Sequence, residues 1–155
     1  MFKKLIKSFD APIAHAHCDG PCGIYDPASA RITAEAVLSM TKKILALEPA
    51  NQSDKEAYVA YHNTLARYIK IKEEQAHETK EHILVLWTDY FKPVHLEKYP
   101  ELHDLIWKAT KEASACKVEI SMHHADHLMD YVKQIHDIFW ATKGREVEWV
   151  LANPQ

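Results

Sequence analysis

The sequence predicts an all-α protein, an antiparallel four-helix bundle preceded by a metal-binding segment at the N-terminus. Only 3 glycines in 155 residues argue against a turn-rich β fold and for long helices. Four segments carry apolar residues at helical spacing, and short connections join them. The stretch from His17 to Tyr25 breaks this pattern, because it holds two of the three cysteines and two of the three glycines. We therefore expect a helical scaffold with a separate N-terminal site.

Composition and charge narrow the classes of function. The chain has 19 basic and 22 acidic residues, and its net charge of −3 argues against nucleic acid as the main partner, because phosphate binding needs a basic surface. No apolar run approaches the roughly 20 residues of a membrane span. Three cysteines cannot form a full disulfide framework. We therefore expect a reducing, cytoplasmic location, with thiols available to a metal.

Residues 1–16 are typical of a leader peptide rather than of the folded domain. The segment carries early lysines and ends in Ala14-His15-Ala16, which is similar to a signal-peptidase site. Lys7 and Asp10 interrupt it, so it lacks the apolar core that a secretory signal needs. We expect a cytosolic leader, which another protease removes or which stays attached as an arm.

Caps and apolar spacing predict the first two helices. Asp26-Pro27 suits a helix start, and this helix should end near Glu48-Pro49. A capping box at residues 53–56 opens a long second helix, to about Phe91, which can bend or extend past the bundle. Its apolar stripe consists of Tyr58, Tyr61, Leu65, Tyr68 and Ile69. Residues 70–82 are strongly polar, whereas residues 83–87 are apolar all round and would also suit a buried strand, for which the chain offers no partner.

Two further helices complete the predicted bundle, which spans residues 28–143. Residues 92–100 hold two prolines and are predicted to be a linker. The third helix runs from about Pro100 to Cys116, and the fourth follows a connection at residues 118–121. The fourth ends near Lys143-Gly144, a basic last turn followed by a glycine. In the tail, residues 144–155, the apolar cluster at 147–151 should dock as a short extra turn.

The segment of residues 17–27, the hook, carries the candidate chemistry. His17 directly precedes Cys18, and Gly20-Pro21 predicts a tight turn that would bring Cys22 back toward Cys18. Two thiolates and an imidazole make a soft metal site. The C-x₃-C spacing differs from the usual C-x-x-C of redox dithiols, and a structural zinc site wants a fourth side chain. A redox disulfide and a plain exposed loop stay open as alternatives, whereas Cys116 should be a buried small side chain.

Removal of the leader would add two nitrogen ligands. If cleavage falls after Ala16, His17 becomes the first residue and offers a free amine beside its imidazole. The amide nitrogen of Cys18 can also bind a metal that favours square-planar nitrogen. Amine, amide and the two thiolates of Cys18 and Cys22 complete a square plane, which suits divalent nickel or copper. The imidazole could supply a fifth, axial position, so that cleavage would switch metal binding on.

At these residues the chain resembles the nickel superoxide dismutase family. The first matching stretch is the hook, from His17 to Pro27, which corresponds to the family's nickel hook. Three further stretches match at residues 86–93, 95–103 and 138–143. The resemblance covers about Ala16 to Lys143, and its motifs are highly specific.

The resemblance implies an enzyme that disproportionates superoxide to dioxygen and hydrogen peroxide by Ni(II)/Ni(III) cycling. It implies one nickel per subunit, held by His17, Cys18 and Cys22, and a homohexamer of four-helix bundles whose leader a protease removes. Tyr25 would stand over the open axial face, where superoxide arrives. A cation near the mouth should raise the rate at which this anion arrives, and Lys92 is the candidate.

The chain departs from the family at two positions. Thr33 and Gln75 stand where the family has a glutamate and an arginine that help to orient the hook histidine. Because a hydrogen bond from a second group usually fixes a ligand imidazole, the support of His17 here must differ. Three side chains near Gln75 are possible substitutes: Glu73, Glu74 and His77.

Other readings compete with a nickel enzyme. The same hook could serve a non-catalytic protein that stores or delivers nickel or copper. Glu74 and His77 fit the Glu-x-x-His of di-iron bundles, although the chain has no second copy of that motif. His123, His124 and His127 could form a zinc patch, but a helix start with exposed imidazoles explains them more simply.

Overall fold

The computed structural model describes residues 22–152, so the leader, His17 and Cys18 lie outside the described residues. The described part of the chain contains helices and no strand. In chain order the helices are α1 (Ala28–Leu45), α2 (Lys55–Val85), a π-helical turn (Leu86–Tyr90), α3 (Pro93–Lys98), α4 (Leu102–Val118) and α5 (Met122–Thr142). The prediction of an all-α fold is therefore confirmed.

Four long helices form the bundle. Helix α1 packs against α2 and α5, and α4 packs against the same two helices on the other side. Small and branched apolar side chains fill the space between them, and the fully buried ones include Val37, Ile83, Leu102, Leu128 and Phe139. No helix within residues 22–152 combines the length and the apolar character that crossing a membrane requires.

The helix ends lie close to their predicted positions. The Asp54 side chain accepts a hydrogen bond from the Ala57 N–H at 3.0 Å, so Asp54 rather than Ser53 caps α2. Residues 92–100 are not a plain linker, since they contain α3. Pro93 begins that helix, because its fixed φ suits the first helical position. Gly144 follows α5 with φ +65°, as expected of a helix that ends at a glycine.

The two halves of α2 differ in burial. Its buried residues, Lys72, Ala76, Thr79 and Ile83, all belong to the C-terminal half. The predicted apolar stripe in the N-terminal half is only half-buried, and Tyr58 is 39% exposed. The first half of α2 therefore adds little to the core of the chain, in agreement with a helix that extends past the bundle.

The C-terminal segment of residues 144–152, the strap, returns across α5 to α1. His136 Nε2 donates to the Val147 carbonyl oxygen at 3.0 Å, and the Trp149 ring lies 5.2 Å from the His136 ring. The Ala152 N–H donates to Glu35 Oε2 on α1 at 3.0 Å. The strap docks as predicted, but it forms no extra helical turn.

Candidate metal centre

The described chain begins within the hook, at Cys22. Its thiol is exposed and free, and the residues between it and α1 are not helical. Gly23 adopts φ +66°, a left-handed conformation that a glycine enters without strain. A soft thiolate donor in exposed, non-helical backbone fits nickel. The other two predicted ligands, His17 and Cys18, lie outside the described residues.

Cys116 differs from Cys22 in every respect that matters for ligation. It is 2% exposed, in the core beside α2 and α5. Burial raises the pKa of its thiol to about 12. Because the thiolate is the form that binds metals, Cys116 is chemically inert at neutral pH. The expectation of a buried, structural Cys116 is confirmed.

Tyr25 lies at the end of the bundle formed by the C-terminus of α5. Its ring centre is 5.7 Å from that of Tyr90, which in turn packs on Phe139 at 4.4 Å. The Tyr90 hydroxyl is 2.6 Å from Thr142 Oγ1. Tyr25 is thus half-buried against a fixed aromatic neighbour, three residues after Cys22.

The π-helical turn sets the position of Tyr90. Residues 86–90 follow α2 directly, and the Phe91 N–H donates to the Leu86 carbonyl oxygen at 3.0 Å. Such wide turns inside helices occur frequently at functional sites. Here the turn ends α2 and places the half-buried Tyr90 ring against the Tyr25 ring. Residues 86–93, one of the stretches that match the family, therefore pack beside the described part of the hook.

Two lysines follow these aromatic residues. Lys92, predicted as the steering cation, is exposed and two residues beyond Tyr90. Lys143 was not singled out by its sequence, yet its Nζ lies 5.3 Å from the centre of the Tyr90 ring and 4.9 Å from that of Phe139. The basic last turn of α5 was the signal that could have found it.

The two departures from the family pattern have different surroundings. Thr33 is buried, and its hydroxyl can donate to the carbonyl oxygen of Ser29 at 3.0 Å. Thr79 Oγ1 lies 2.8 Å from Thr33 Oγ1 and 2.7 Å from the Gln75 carbonyl oxygen. The Gln75 side chain instead donates to Glu78 at 3.0 Å. The two hydroxyls therefore bond each other and their own helices.

The three possible substitutes near Gln75 lie on the exposed face of α2. Glu74 pairs with Lys70 at 3.5 Å, and His77 pairs with Glu81 at 3.1 Å. Glu73 is exposed as well. Nothing in the described residues brings these side chains to the hook.

A cavity of about 370 Å³ opens beside the first described residues of the hook. Its lining residues are Ile24, Tyr25, Asp26, Ser29, His82, Val85 and Leu86. His82 is half-buried and comes from α2, whereas Tyr25 and Asp26 come from the hook. In the sequence His82 is only the last residue of a strongly polar segment, so its place at the hook follows from the packing of α1 on α2.

The other metal hypotheses find no assembled site. Among residues 22–152, no three His, Cys, Asp or Glu side chains are arranged to hold a metal ion. In the histidine cluster at the start of α5, His124 Nδ1 is 2.7 Å from Glu112 Oε2, and the rings of His123 and His127 are 4.0 Å apart. The structure therefore does not bring together the di-iron or the zinc ligands.

Comparison with known families agrees with the hook and the bundle. The profile of the family described as nickel-containing superoxide dismutase matches residues 12–143. The curated proteins named superoxide dismutase [Ni] from Streptomyces seoulensis and Streptomyces coelicolor are each 44% identical to the chain over 128 residues. That region is 83% of this chain and 88% of each relative.

Solved structures agree as well. A native nickel superoxide dismutase at 1.30 Å superposes with a TM-score of 0.69 at 43% identity, over 83% of this chain and 100% of that one. A nickel-containing superoxide dismutase with the ligation of the oxidized state gives a TM-score of 0.70, also at 43% identity and the same coverage. An apo form gives 0.66 at 40% identity, over 79% of this chain and 99% of that one.

Proposed function

Because this chain belongs to the nickel-containing superoxide dismutase family and is a nickel-dependent enzyme that disproportionates superoxide to dioxygen and hydrogen peroxide, we propose that His17, Cys18 and Cys22 hold its nickel ion. The observation that carries this assignment is Cys22, an exposed thiol in non-helical chain beside the packed Tyr25. When bound, nickel supplies a one-electron couple between its divalent and trivalent states.

The donors come from side chains and from the backbone. His17 gives its amine and imidazole, Cys18 its amide nitrogen and thiolate, and Cys22 a second thiolate. Anionic thiolate and amide donors favour the higher metal charge. The amine exists only after cleavage between Ala16 and His17, so maturation by a protease is part of this proposal. The hook is then residues 17–27, followed by the bundle of residues 28–143 and the tail.

Tyr25 limits what reaches the hook. Its ring is held by Tyr90, which is itself fixed by Phe139 and Thr142. A ring that cannot swing away admits a small anion and hinders larger reductants. The phenol is also a hydrogen-bond donor, a group that suits an anionic substrate.

Lys92 attracts superoxide to this end of the molecule. The whole chain has a net charge of −3, which repels an anion, so positive side chains near the mouth matter for the rate of encounter. Lys92 is exposed, and Lys143 adds a second positive charge over the Tyr90 ring.

Assembly and location complete the proposal. Large apolar side chains are exposed on α2 and α4, among them Val59, Ile71 and Trp107, and subunit contacts would cover them. We propose a homohexamer with one nickel per subunit. A cytoplasmic location suits a hook whose thiols must stay reduced until they bind metal.

The test compares two cysteine variants of the processed protein, whose first residue is His17. Cys22→Ser should lose bound nickel, and its superoxide disproportionation should fall to the rate of free nickel. The matched control is Cys116→Ser, which removes a buried thiol whose pKa is about 12 and should keep both properties. Metal analysis and the decay rate of superoxide measure the two effects. Tight nickel binding by Cys22→Ser would contradict the assignment.

A further inference from the structure

We propose that the strap is a clamp on the end of α5, which keeps Thr142 and Lys143 in place beside Tyr90. The strap lies beyond residues 12–143, the region that the family profile matches, so membership of the family gives it no role. The clamp is inferred from contacts within residues 22–152. Its effect on the rate also rests on the proposed steering of superoxide at this end of the molecule.

The first observation is that the strap begins as part of the cap that ends α5. The Gly144 N–H donates to the Ala141 carbonyl oxygen at 3.1 Å, and the Arg145 N–H donates to that of Trp140 at 3.0 Å. With Gly144 at φ +65°, these bonds form the Schellman motif, in which residues beyond a helix satisfy its last carbonyl groups. The Arg145 guanidinium also lies 4.7 Å from the centre of the Trp140 ring. The form of the last turn of α5 therefore depends on the first two residues of the strap.

The second observation is that the rest of the strap is anchored on two helices. On α5, His136 Nε2 donates to the Val147 carbonyl oxygen at 3.0 Å, and the Trp149 ring packs edge-on against the His136 ring at 5.2 Å. On α1, Glu35 Oε2 accepts the Ala152 N–H at 3.0 Å. These anchors hold the strap across α5 and α1, so that its first residues cannot move away from the helix end freely.

The third observation is what the last turn of α5 carries. The Thr142 hydroxyl lies 2.6 Å from the Tyr90 hydroxyl, and Lys143 Nζ lies 5.3 Å from the centre of the Tyr90 ring. The Tyr90 ring in turn packs on that of Tyr25, at 5.7 Å. A shift of this turn would move both the hydroxyl and the ammonium group. The strap therefore acts on the Tyr25 end of the bundle through the last turn of α5.

Two buried polar atoms show which contacts hold the strap. His136 Nδ1 and Trp140 Nε1, one helical turn apart on α5, have no hydrogen-bond partner within residues 22–152. A buried polar atom without a partner costs free energy and does not hold neighbouring segments together. The His136 Nε2 bond and the ring contacts are therefore the interactions that fix the strap on α5. Variants can separate these interactions from the two atoms without partners.

The main experiment replaces Trp149 in the processed, nickel-loaded protein and measures amide hydrogen exchange. Trp149→Ala removes the ring that packs on His136, so the strap should open more often. The amides of residues 143–145 should then exchange about two- to tenfold faster, which is the range that one aromatic pair contributes. The matched control is Val150→Ala, at a strap residue that is 56% exposed, and its exchange should equal that of the unmodified protein.

Two substitutions on α5 test the same contacts from the other side. His136→Leu loses the donor to the Val147 carbonyl oxygen and should speed exchange at residues 143–145, whereas His136→Gln keeps a donor and should restore slow exchange. Trp140→Phe keeps a ring beneath Arg145 and removes only an N–H without a partner, so it should leave exchange unchanged.

The rate of the enzyme gives a readout that a purely structural contact would not change. If the strap keeps Lys143 in place, Lys143→Gln should lower kcat/KM for superoxide less in the Trp149→Ala background than in the unmodified protein. We expect the two losses to differ by a factor of about two, whereas independent changes at separated sites would combine additively in free energy. Pulse radiolysis at low salt measures all four rates.

The outcomes decide the proposal. If Trp149→Ala speeds exchange of the Ala152 amide but not of residues 143–145, the strap opens without loosening α5 and the clamp is wrong. Unchanged exchange at both places would show that Trp149 does not hold the strap, which also contradicts the proposal. Faster exchange at residues 143–145 without coupling to Lys143 would support the clamp and contradict the steering role of that lysine.

Folding is checked within the same experiment. Exchange in α4, which the strap does not contact, should stay at the rate of the unmodified protein, and this excludes global unfolding. Should Trp149→Ala not fold, Trp149→Leu keeps apolar bulk while losing the aromatic pair, and the same outcomes decide. The nickel ligands are tested separately by Cys22→Ser, whose result does not depend on the strap.

Discussion

Helix α2 carries Lys72 and His82 toward its packed side, and the two side chains have opposite surroundings. Lys72 is 1% exposed, and its Nζ donates to the carbonyl oxygens of Cys116, Lys117 and Glu119, which end α4. His82, ten residues later, lines an open cavity and has no partner within residues 22–152. Each side chain lies at one end of the polar segment of residues 70–82.

The difference separates a side chain whose hydrogen bonds are all made inside the protein from one that makes none within residues 22–152. The last carbonyl groups of a helix have no partner within that helix, and Lys72 satisfies those of α4 from a neighbouring helix. The N–H groups of the Lys72 ammonium all donate to carbonyl oxygens inside the protein, so no donor remains for a ligand. At His82 the hydrogen-bonding capacity is unused within residues 22–152, and the cavity that its ring lines also borders Tyr25 and Asp26 of the hook. Loss of the Lys72 side chain should therefore lower the stability of the bundle and leave nickel binding unchanged.

The largest effect on nickel affinity should come from removal of residues 1–16, which gives His17 a free amine. A chain that keeps residues 1–16 has a peptide amide where the processed chain would have the amine that we propose as a ligand. We expect its nickel affinity to be lower by more than about a hundredfold, since loss of a ligand costs more than loss of a supporting hydrogen bond, at about 10–100-fold. Competition with a chelator measures the affinity of both forms.

Thermal unfolding of the two metal-free forms provides the control. The Lys72 contacts and the bundle are the same in both, so their unfolding temperatures should agree closely. Tight nickel binding by the uncleaved chain would show that the amine is not a ligand.

The next largest effect should come from Lys72→Met. This change keeps the length of the side chain but leaves the carbonyl groups at the end of α4 without their donor. Hydrogen bonds to charged groups contribute about 1.5–3 kcal/mol, so we expect the free energy of unfolding to fall by about that amount. Urea unfolding measures it, and Lys70→Met, at a side chain that is 73% exposed, is the matched control. An unchanged stability would mean that the cost of burying the ammonium group offsets its bonds.

The pH dependence of stability gives the same contact a second signature. Burial lowers the pKa of Lys72 from its ordinary value of 10.5. Between the lowered pKa and 10.5 the unfolded chain binds more protons at this site than the folded chain. The contribution of Lys72 to the free energy of unfolding therefore rises with pH across that window. The stability difference between the unmodified protein and Lys72→Met should grow accordingly, whereas that for Lys70→Met should not.

Much of the scaffold could be predicted from the sequence because local rules decide it. Helix caps, glycine after α5 and the apolar spacing placed every long helix within a few residues. Membership of the family was predictable too, since the residues of the hook are close together in the chain and match a specific motif. The hook ligands stay a prediction, because His17 and Cys18 lie outside the described residues. α3 was missed because two prolines suggested a linker, although a proline also suits the first position of a helix.

What could not be predicted depends on contacts between distant residues. Lys72 reaches a carbonyl oxygen 44 positions away, and a polar residue in a polar segment gives no local sign of such burial. The same holds for His82, whose place in the cavity beside the hook depends on how α1 lies against α2. The strap was predicted to dock, but its path across His136 to Glu35 is a property of the packed bundle.

The smallest effect should come from the two lysines at the hook end, and it would show which of them guides the substrate. Lys92→Gln or Lys143→Gln should each lower kcat/KM for superoxide by about two- to fivefold at low salt, because one charge is a small part of the field that can speed encounter by about 10–10³-fold. The effect should shrink as ionic strength rises, since salt screens exposed charges. Pulse radiolysis measures the rate, with Lys70→Gln, near the Lys72 end, as control.

Nickel binding should be unchanged in all three variants, which separates an effect on substrate steering from an effect on metal ligation. A larger loss for Lys143→Gln than for Lys92→Gln would assign the main steering charge to the lysine above Tyr90, and equal rates for all three variants would contradict a steering role at this end of the molecule.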